Sequence, residues 1–496
     1  MDCTLPAFTV YGLLFVVFLY VTKILKSWAA GSSCENFPPG PKGLPVIGNL
    51  HMINLRRPNQ TLMKFAKQYG SVFSIRMGTV KIVVLSGYET VRSALIDHAE
   101  EFSERPYVPV FEDVFQGYGI SFSHGENWRT MRRFTLTKLR DFGMGKRTIE
   151  DRIVEECGFF TKMLQSLKGE PVELTIKTNF AIGNIIMSIV FGQRFHYRDP
   201  LLIRVMELID ENMRLFGSPS AAMYNYFPAL RYICGARRIV MRNMSHLHSF
   251  LRMKLMKHLQ ELDRDDQRGF IDAFLIKQEE ERSDPNTYFH EKNLMSVVST
   301  LLMAGTETTS STIRWALIYM IQYPDIQRCV QEEIDRVIGS AQPRMEHRKD
   351  MPYTNAVVHE VQRRANILPM NLPRETTKDV IFQGYHIPKG TYVTVLLESV
   401  LYDKSQFEHP ESFYPEHFLD SNGAFVKKAA FIPFSAGRRS CVGETLAKME
   451  LFLFFTSLMQ KFTFHAAPGV TNLQVKPSIG LAVAPVGHKI CCMPRS

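Results

Sequence analysis

Residues 434–443 read Phe434-Ser435-Ala436-Gly437-Arg438-Arg439-Ser440-Cys441-Val442-Gly443. Two glycines bracket a cysteine, adjacent arginines precede it, and an apolar helix begins after Gly443 and runs to about Phe462. A thiolate at the amino end of a helix is stabilised by free backbone N–H groups and by the helix dipole. Gly437 permits a tight turn that a side chain obstructs, and Gly443 lets bulk approach closely. On these grounds a buried structural cysteine ahead of a helix fits about as well as a reactive thiolate. The other cysteines, Cys3, Cys34, Cys157, Cys234, Cys329, Cys491 and Cys492, form no CxxC or Cys/His cluster. They are too scattered for zinc and too sparse for a disulfide scaffold, so a cytosol-facing domain with mostly reduced thiols is the simplest account.

Outward from this loop, two further patterns stand apart from their surroundings. Glu360 and Arg363 in Glu360-Val361-Gln362-Arg363 share a helix face and can pair locally, although solvated Glu/Arg pairs at that spacing are common. Leu301 to Ser311 puts Gly305, three threonines and two serines into an otherwise apolar helix. Thr306 and Ser311 lie on other faces, where bonding back to carbonyls is the expectation. Thr308 follows Ala304 by four positions, so its hydroxyl reaches that carbonyl and opens a notch. Small side chains at Ala304 and Gly305 would leave room beside it.

Periodicity predicts helices over Ser123–Thr137, Ile149–Leu167, Thr178–Phe191, Leu201–Leu215, Ala236–Leu262, Phe270–Glu281 and His290–Gln322. Val72–Met77 and Val80–Leu85, split by Gly78-Thr79, carry a hairpin signature, and strand signals return near Val380–Ile387 and Tyr392–Leu397. The expectation is a mainly α chain with a smaller β-rich part towards the amino end. No repeat and no interdomain linker interrupts residues 60–490.

Leu5 to Val21 carries no charge, at the short end of what spans a bilayer. Asp2 precedes it and Lys23 and Lys26 follow, which places the rest of the chain in the cytosol. A cleaved signal peptide is the rival, but the basic n-region is missing. Residues 1–26 are therefore expected to be a transmembrane signal-anchor, 27–48 a stiff proline-rich linker around Phe37-Pro38-Pro39-Gly40-Pro41, and 49–496 the catalytic domain. Asn59 and Asn243 match glycan acceptors that this orientation leaves unmodified. With 496 residues and 45% apolar content, the chain can bury a core around a large cofactor. The net charge of +10 suits a basic surface, an anionic partner or an anionic membrane face. No Lys/Arg tract or zinc-finger spacing supports a nucleic-acid partner.

FxxGxRxCxG resembles the haem-binding signature of the cytochrome P450 superfamily, with Phe434, Gly437, Arg439, Cys441 and Gly443 at every fixed position. The resemblance implies the cytochrome P450 fold, with haem b as cofactor and Cys441 as its proximal thiolate ligand. It further implies that Phe434 packs near the thiolate and Arg439 pairs with a propionate. Glu360 and Arg363 resemble the family's ExxR pair, and His417 in Phe413-Tyr414-Pro415-Glu416-His417-Phe418 adds the basic group of a buried structural network. Ala304, Gly305, Glu307 and Thr308 resemble the distal groove (A/G)Gx(D/E)T, which implies Glu307 and Thr308 as an acid–alcohol pair feeding protons through water. Trp128 and Arg132 match the family's WxxxR helix, and Arg105 and Arg374 fall at further propionate-binding positions.

A finer resemblance, to the microsomal family 2 monooxygenases of vertebrates, runs from the PPGP segment almost to Arg495. Ser440 and Arg364 depart from the commoner apolar and aromatic residues at their positions. Family substrate-recognition segments imply an apolar lining from Phe111, Phe115, Leu301, Ala304, Ile367, Leu368 and Ile479, suited to an oily substrate. Phe216 to Ile233 is rich in Phe, Tyr, Leu and Pro and is suited either to the lipid face or to an ordinary hydrophobic loop contact. The implied activity is an NADPH-supported monooxygenase acting on a xenobiotic, fatty acid or steroid at the cytosolic face of the endoplasmic reticulum membrane. No flavin or Rossmann signature is present, so the implied electron donors are NADPH–cytochrome P450 reductase and, second, cytochrome b5. Arg129, Arg133 and Lys138 are candidates for their docking surface. The competing readings are reductase-independent peroxide or endoperoxide isomerisation and a non-catalytic haem carrier or gas sensor.

Overall fold

The alternation in Val72–Met77 and Val80–Leu85 becomes an antiparallel hairpin, with Val72 opposite Leu85 and Met77 opposite Val80. The structure is a computed structural model describing residues 36–470, 473 and 475–495, together with 11, 12 and 22. The expected anchor, residues 1–26, lies outside the described residues apart from those three positions. Among the described residues no helix is long and apolar enough to cross a membrane. Val80–Leu85 pairs in parallel with Tyr392–Val395, which pairs antiparallel with Arg374–Glu375. This sheet, the small hairpin Val380–Phe382/Tyr385–Ile387 and helix α1 (Pro58–Tyr69) belong to one compact unit, formed by the described residues up to Pro106 and by Leu372–Leu396. The predicted strand near Val380–Ile387 is thus two strands, turning at Gln383 and Gly384, both with positive φ.

The proline-rich segment is laid onto this sheet. Ser74 donates from N to Pro39 O at 2.7 Å and from Oγ to Pro38 O at 2.7 Å. A Cβ on Gly40 would lie 1.8 Å from Ser74 O, so the glycine answers a close backbone approach. Residues 38–40 of the expected linker therefore pack with the body.

The second compact unit comprises Tyr107–Asn371 and the chain from Leu397 onward. Its helices of seven residues or more are α2 (Pro109–Phe115), α3 (Gly125–Asp141), α4 (Arg147–Gln165), α5 (Thr175–Val190), α6 (Pro200–Phe216), α7 (Pro219–Tyr226), α8 (Gly235–Gln260), α9 (Phe270–Glu280), α10 (Glu291–Gln322), α11 (Pro324–Val337), α12 (Pro352–Ala365) and α13 (Glu444–Lys461). The predicted helices recur with small shifts at their ends. α1, α2, α7, α11 and α12, which periodicity did not delimit, each begin on a proline. At the first helical position the missing N–H has no partner to lose and φ is already helical. α10 runs through the centre, packed along α5, and α13 is buried on both faces from Leu451 to Gln460. A three-stranded antiparallel sheet of Val172–Glu173, Lys489–Pro494 and Phe462–Ala466 closes this unit, so β structure is not confined to the amino end. Asn243 is fully buried in α8 and donates to Glu211 Oε2 at 2.7 Å, which bars a glycan in the folded chain whatever its topology.

Candidate active site

Residues 434–443 form a tight loop, with Cys441 N donating to Phe434 O at 3.1 Å and Ser440 N to Gly437 O at 3.1 Å. Gly437 has φ +72°, the left-handed turn that the sequence asked for. Ser435, at φ +62°, accepts from Asn371 Nδ2 at 2.8 Å on its hydroxyl, which ties the loop down. Gly443 caps α13, and a Cβ there would lie 3.9 Å from Cys441 Sγ. Desolvation pushes the Cys441 thiol pKa up, while the backbone amides of Gly443 and Glu444 and the charge of Arg132 pull it down. The cysteine is nevertheless accessible, unlike Cys157, Cys234, Cys491 and Cys492, which are buried. Cys329, inside Pro324–Val337, is exposed as well, so it is exposure together with a place at a helix start that separates Cys441 from the other described cysteines.

Helix α3 supplies the cationic wall beside this loop. The Arg439 guanidinium stacks on Trp128, 3.8 Å from the ring centroid, and Arg439 Nη2 donates to Ser123 O at 2.9 Å. Arg132 Nη2 donates to Ser440 Oγ at 3.2 Å, so the unusual serine gives a half-buried cation an acceptor. Burial lowers the Arg132 pKa. Trp128 Nε1 is buried with no hydrogen-bond partner among the described residues. A buried N–H in that condition calls for an acceptor. In the first unit, Arg105 and Arg374 are both buried; Arg105 Nη1 donates to Leu372 O and Pro373 O, and Arg374 Nη1 donates to Phe102 O.

On α10, Thr308 Oγ1 donates to Ala304 O at 2.7 Å, the local contact that the four-residue spacing predicts. Ala304 is exposed and Thr308 half-buried, so this notch faces open space. Gly305 has a different job: a Cβ there would meet Ile186 Cδ1 of α5 at 2.7 Å, so its smallness admits a helix rather than a ligand. Glu307 is 3% exposed and its carboxylate is taken up by Asn179, Ser311 and Arg314. Burial raises its pKa, with Arg314 opposing. Adjacent helix positions do not share a face, so Glu307 points into the α5 side while Thr308 faces the notch. Ser311 bonds to the Glu307 carboxylate rather than back to a carbonyl, and Thr306 Oγ1 is buried without a partner among the described residues. Sequence reasoning missed Asn179 and Arg314, which come from another helix and from two turns further along.

Elsewhere in this unit, Glu360 and Arg363 of α12 are fully buried and paired through two hydrogen bonds of 2.8 and 2.7 Å. His417 Nδ1 lies 3.2 Å from Glu360 Oε2. Arg364, the other departure from the family pattern, stacks on Tyr402 and donates to its hydroxyl, which donates back to Arg364 O at 2.8 Å.

An aromatic cluster brings together Phe111 and Phe115 of the predicted lining. Phe111 stacks on Phe122 at 4.1 Å and leans on Phe216 of α6 at 5.0 Å, with Phe115 stacked beside Phe122. Leu481 N donates to Met213 O, and Val483 N donates to Ile367 O at 2.8 Å. Leu301, Ile367 and Leu368 are half-buried, whereas Ile479 is 37% exposed.

A cytochrome P450 family profile matches residues 38–492. The chain is 46% identical over 485 residues to cytochrome P450 2K4 of Oncorhynchus mykiss, covering 97% of this chain and 96% of that one. It is 45% identical over 457 residues to cytochrome P450 2F2 of Mus musculus (92% and 93%) and 43% identical over 463 residues to cytochrome P450 2J2 of Homo sapiens (93% and 92%).

Proposed function

The chain belongs to the cytochrome P450 family and is a haem monooxygenase; from that premise we propose that Cys441 ligates the haem iron and that the substrate is a lipophilic xenobiotic, fatty acid or steroid. When bound, haem supplies the iron centre at which dioxygen is reduced and one of its atoms transferred. The residues present fit that group. The buried Trp128 indole N–H and the Arg132 and Arg439 guanidiniums suit haem propionates, while the accessible Cys441 thiol, with amides bearing on it, suits an iron ligand. Arg105 and Arg374 are further propionate contacts on family resemblance. Phe434, Gly437 and Gly443 keep the loop in shape, and Glu360, Arg363 and His417 form the buried structural network that the family resemblance implies.

The observation that carries oxygen activation is the Thr308 hydroxyl bound to Ala304 O on the open side of α10. There it can hold a proton donor beside the reacting oxygen, with Glu307 as the acid behind it. Phe111, Phe115, Leu301, Ala304, Ile367, Leu368 and Ile479 line the substrate side and exclude water.

Electrons are proposed to come from NADPH through the reductase, with cytochrome b5 as a second donor. Arg129 and Arg133 are exposed on α3, and Lys138 is half-buried beside them. For the membrane, Tyr232 and Ile233 are 83% and 75% exposed and flanked by Arg231 and Arg238, a composition suited to an anionic lipid surface. With the expected anchor in residues 1–26, this supports the cytosolic face of the endoplasmic reticulum. The test is a screen of lipophilic compounds with purified reductase and NADPH under ¹⁸O₂. One ¹⁸O atom should enter the product. Cys441→Ala should abolish both turnover and the thiolate-type absorption band of the reduced carbon monoxide complex; survival of that band would sink the ligand assignment.

A further inference from the structure

We propose that Glu173 is the solvent-side entry of a proton path ending on Glu307, with Thr175, Arg314 and Ser311 holding the path together. This rests on the reading of Glu307 and Thr308 as the proton-delivering pair. A buried carboxylate that gives up a proton in each turnover has to be reloaded, and Glu307 is too enclosed to be reloaded directly from solvent. Its Oε2 accepts from the Asn179 amide at 3.2 Å, and a carboxamide N–H is a poor shuttle. Its Oε1 accepts from Ser311 Oγ at 2.8 Å, and a hydroxyl both accepts and donates.

The hydrogen-bonded connection outward passes through Arg314. Arg314 is 3% exposed and carries one hydroxyl on each terminal nitrogen: Nη2 donates to Ser311 Oγ at 3.0 Å and Nη1 donates to Thr175 Oγ1 at 2.8 Å. Thr175 Oγ1 donates in turn to Glu173 Oε1, which also accepts from Thr175 N at 2.9 Å. Glu173 is half-buried, on the two-residue strand Val172–Glu173 just ahead of α5. The guanidinium stays protonated, so it does not carry the proton itself. Its role is to hold the two hydroxyls on one guanidinium; no hydrogen bond joins them to each other among the described residues, so the proton crosses between them over one bridging water. A proton taken from solvent by Glu173 then moves inward as Thr175, the bridging water and Ser311 each accept one proton and release another. It ends on Glu307 Oε1, and the only net change is that one proton. Asp210 and His488 also border Arg314, so one cation serves several titratable groups.

The test uses full-length enzyme with reductase, NADPH and oxygen, at fixed pH. Two readouts follow proton supply rather than folding: the share of consumed oxygen recovered as hydrogen peroxide, and the solvent deuterium isotope effect on NADPH oxidation. Glu173→Gln and Thr175→Val should each raise the peroxide share about threefold or more and enlarge the isotope effect, with the carbon monoxide band unchanged. Thr175→Ser, which restores a hydroxyl, should return both readouts to the parent values. Should Thr175→Val fail to fold, Glu173→Gln decides, since its half-exposed amide keeps the acceptor for Thr175 N–H. If Glu173→Gln matches the parent while Glu307→Gln moves both readouts, the path is overturned and the pair stands. If Glu307→Gln is silent as well, both the path and the pair fall.

Discussion

Replacing Arg363 with lysine keeps the charge of the buried pair and removes its geometry, which makes the consequence calculable. Arg363 is fully buried and uses all five of its N–H groups. Nε and Nη2 bind the Glu360 carboxylate, Nη1 binds Leu401 O and Pro410 O at 2.8 and 2.9 Å, and Nη2 also binds Ser412 O at 2.9 Å. A lysine has three donors on one atom, so at least two of these acceptors lose their partner. Each orphaned buried acceptor costs about 1–3 kcal/mol, which puts Arg363→Lys about 2–6 kcal/mol below the parent. Arg363→Met goes further. It strands three carbonyls and leaves Glu360 buried without its cation, at about 3–5 kcal/mol for the charge alone, a total that approaches the whole stability of an ordinary domain. The assay is urea denaturation of the haem-loaded protein followed by circular dichroism, read as the shift in midpoint at unchanged slope. Arg363→Lys should unfold at clearly lower urea, and Arg363→Met should yield little haem-containing protein. A midpoint for Arg363→Lys equivalent to less than about 1 kcal/mol of loss would refute the claim that these carbonyls depend on the arginine fork.

Thr308→Ala should retain haem and substrate binding but divert several-fold more reducing equivalents into hydrogen peroxide; full coupling in the variant would remove Thr308 from proton delivery. Glu450 of α13 is buried, bound among the described residues only by Thr309 Oγ1 at 3.1 Å on Oε2, and burial raises its pKa from 4.5 to about 8. The unfolded chain releases this proton near the ordinary value while the folded chain holds it to about 8, so the stability present at acid pH is lost as pH rises through that window. Glu450→Gln should flatten this fall in denaturation midpoints measured from about pH 5 to about pH 9, and parallel profiles would count against the buried acid. Arg133→Glu should slow first-electron transfer from the reductase and weaken its salt dependence, leaving the ferric spectrum intact. Stopped-flow reduction at two ionic strengths decides the matter: unchanged rates exclude Arg133 from the docking face.

The features legible in the sequence are those written in neighbouring residues. Gly437, Cys441 and Gly443 prescribe a turn and a thiol at a helix start, because φ preference and capping act over a few positions. The spacing of Ala304 and Thr308, of Glu360 and Arg363, and of Val72–Leu85 likewise reports local geometry, and all three meet as their periods require. Five of the six proline-initiated helices escaped, α6 being read from Leu201 onward, because a proline reads as an interruption until something packs behind it. Only the tertiary structure set Val80–Leu85 beside Tyr392–Val395, a parallel pairing across the intervening helices that no local pattern announces. It alone sent the Glu307 carboxylate toward Asn179, Ser311 and Arg314, gave Ser440 to Arg132, and committed Gly305 to Ile186. A side chain's type and its helix face are properties of a short segment. Its burial, and the partner that satisfies its charge, depend on which distant segments the hydrophobic core draws together.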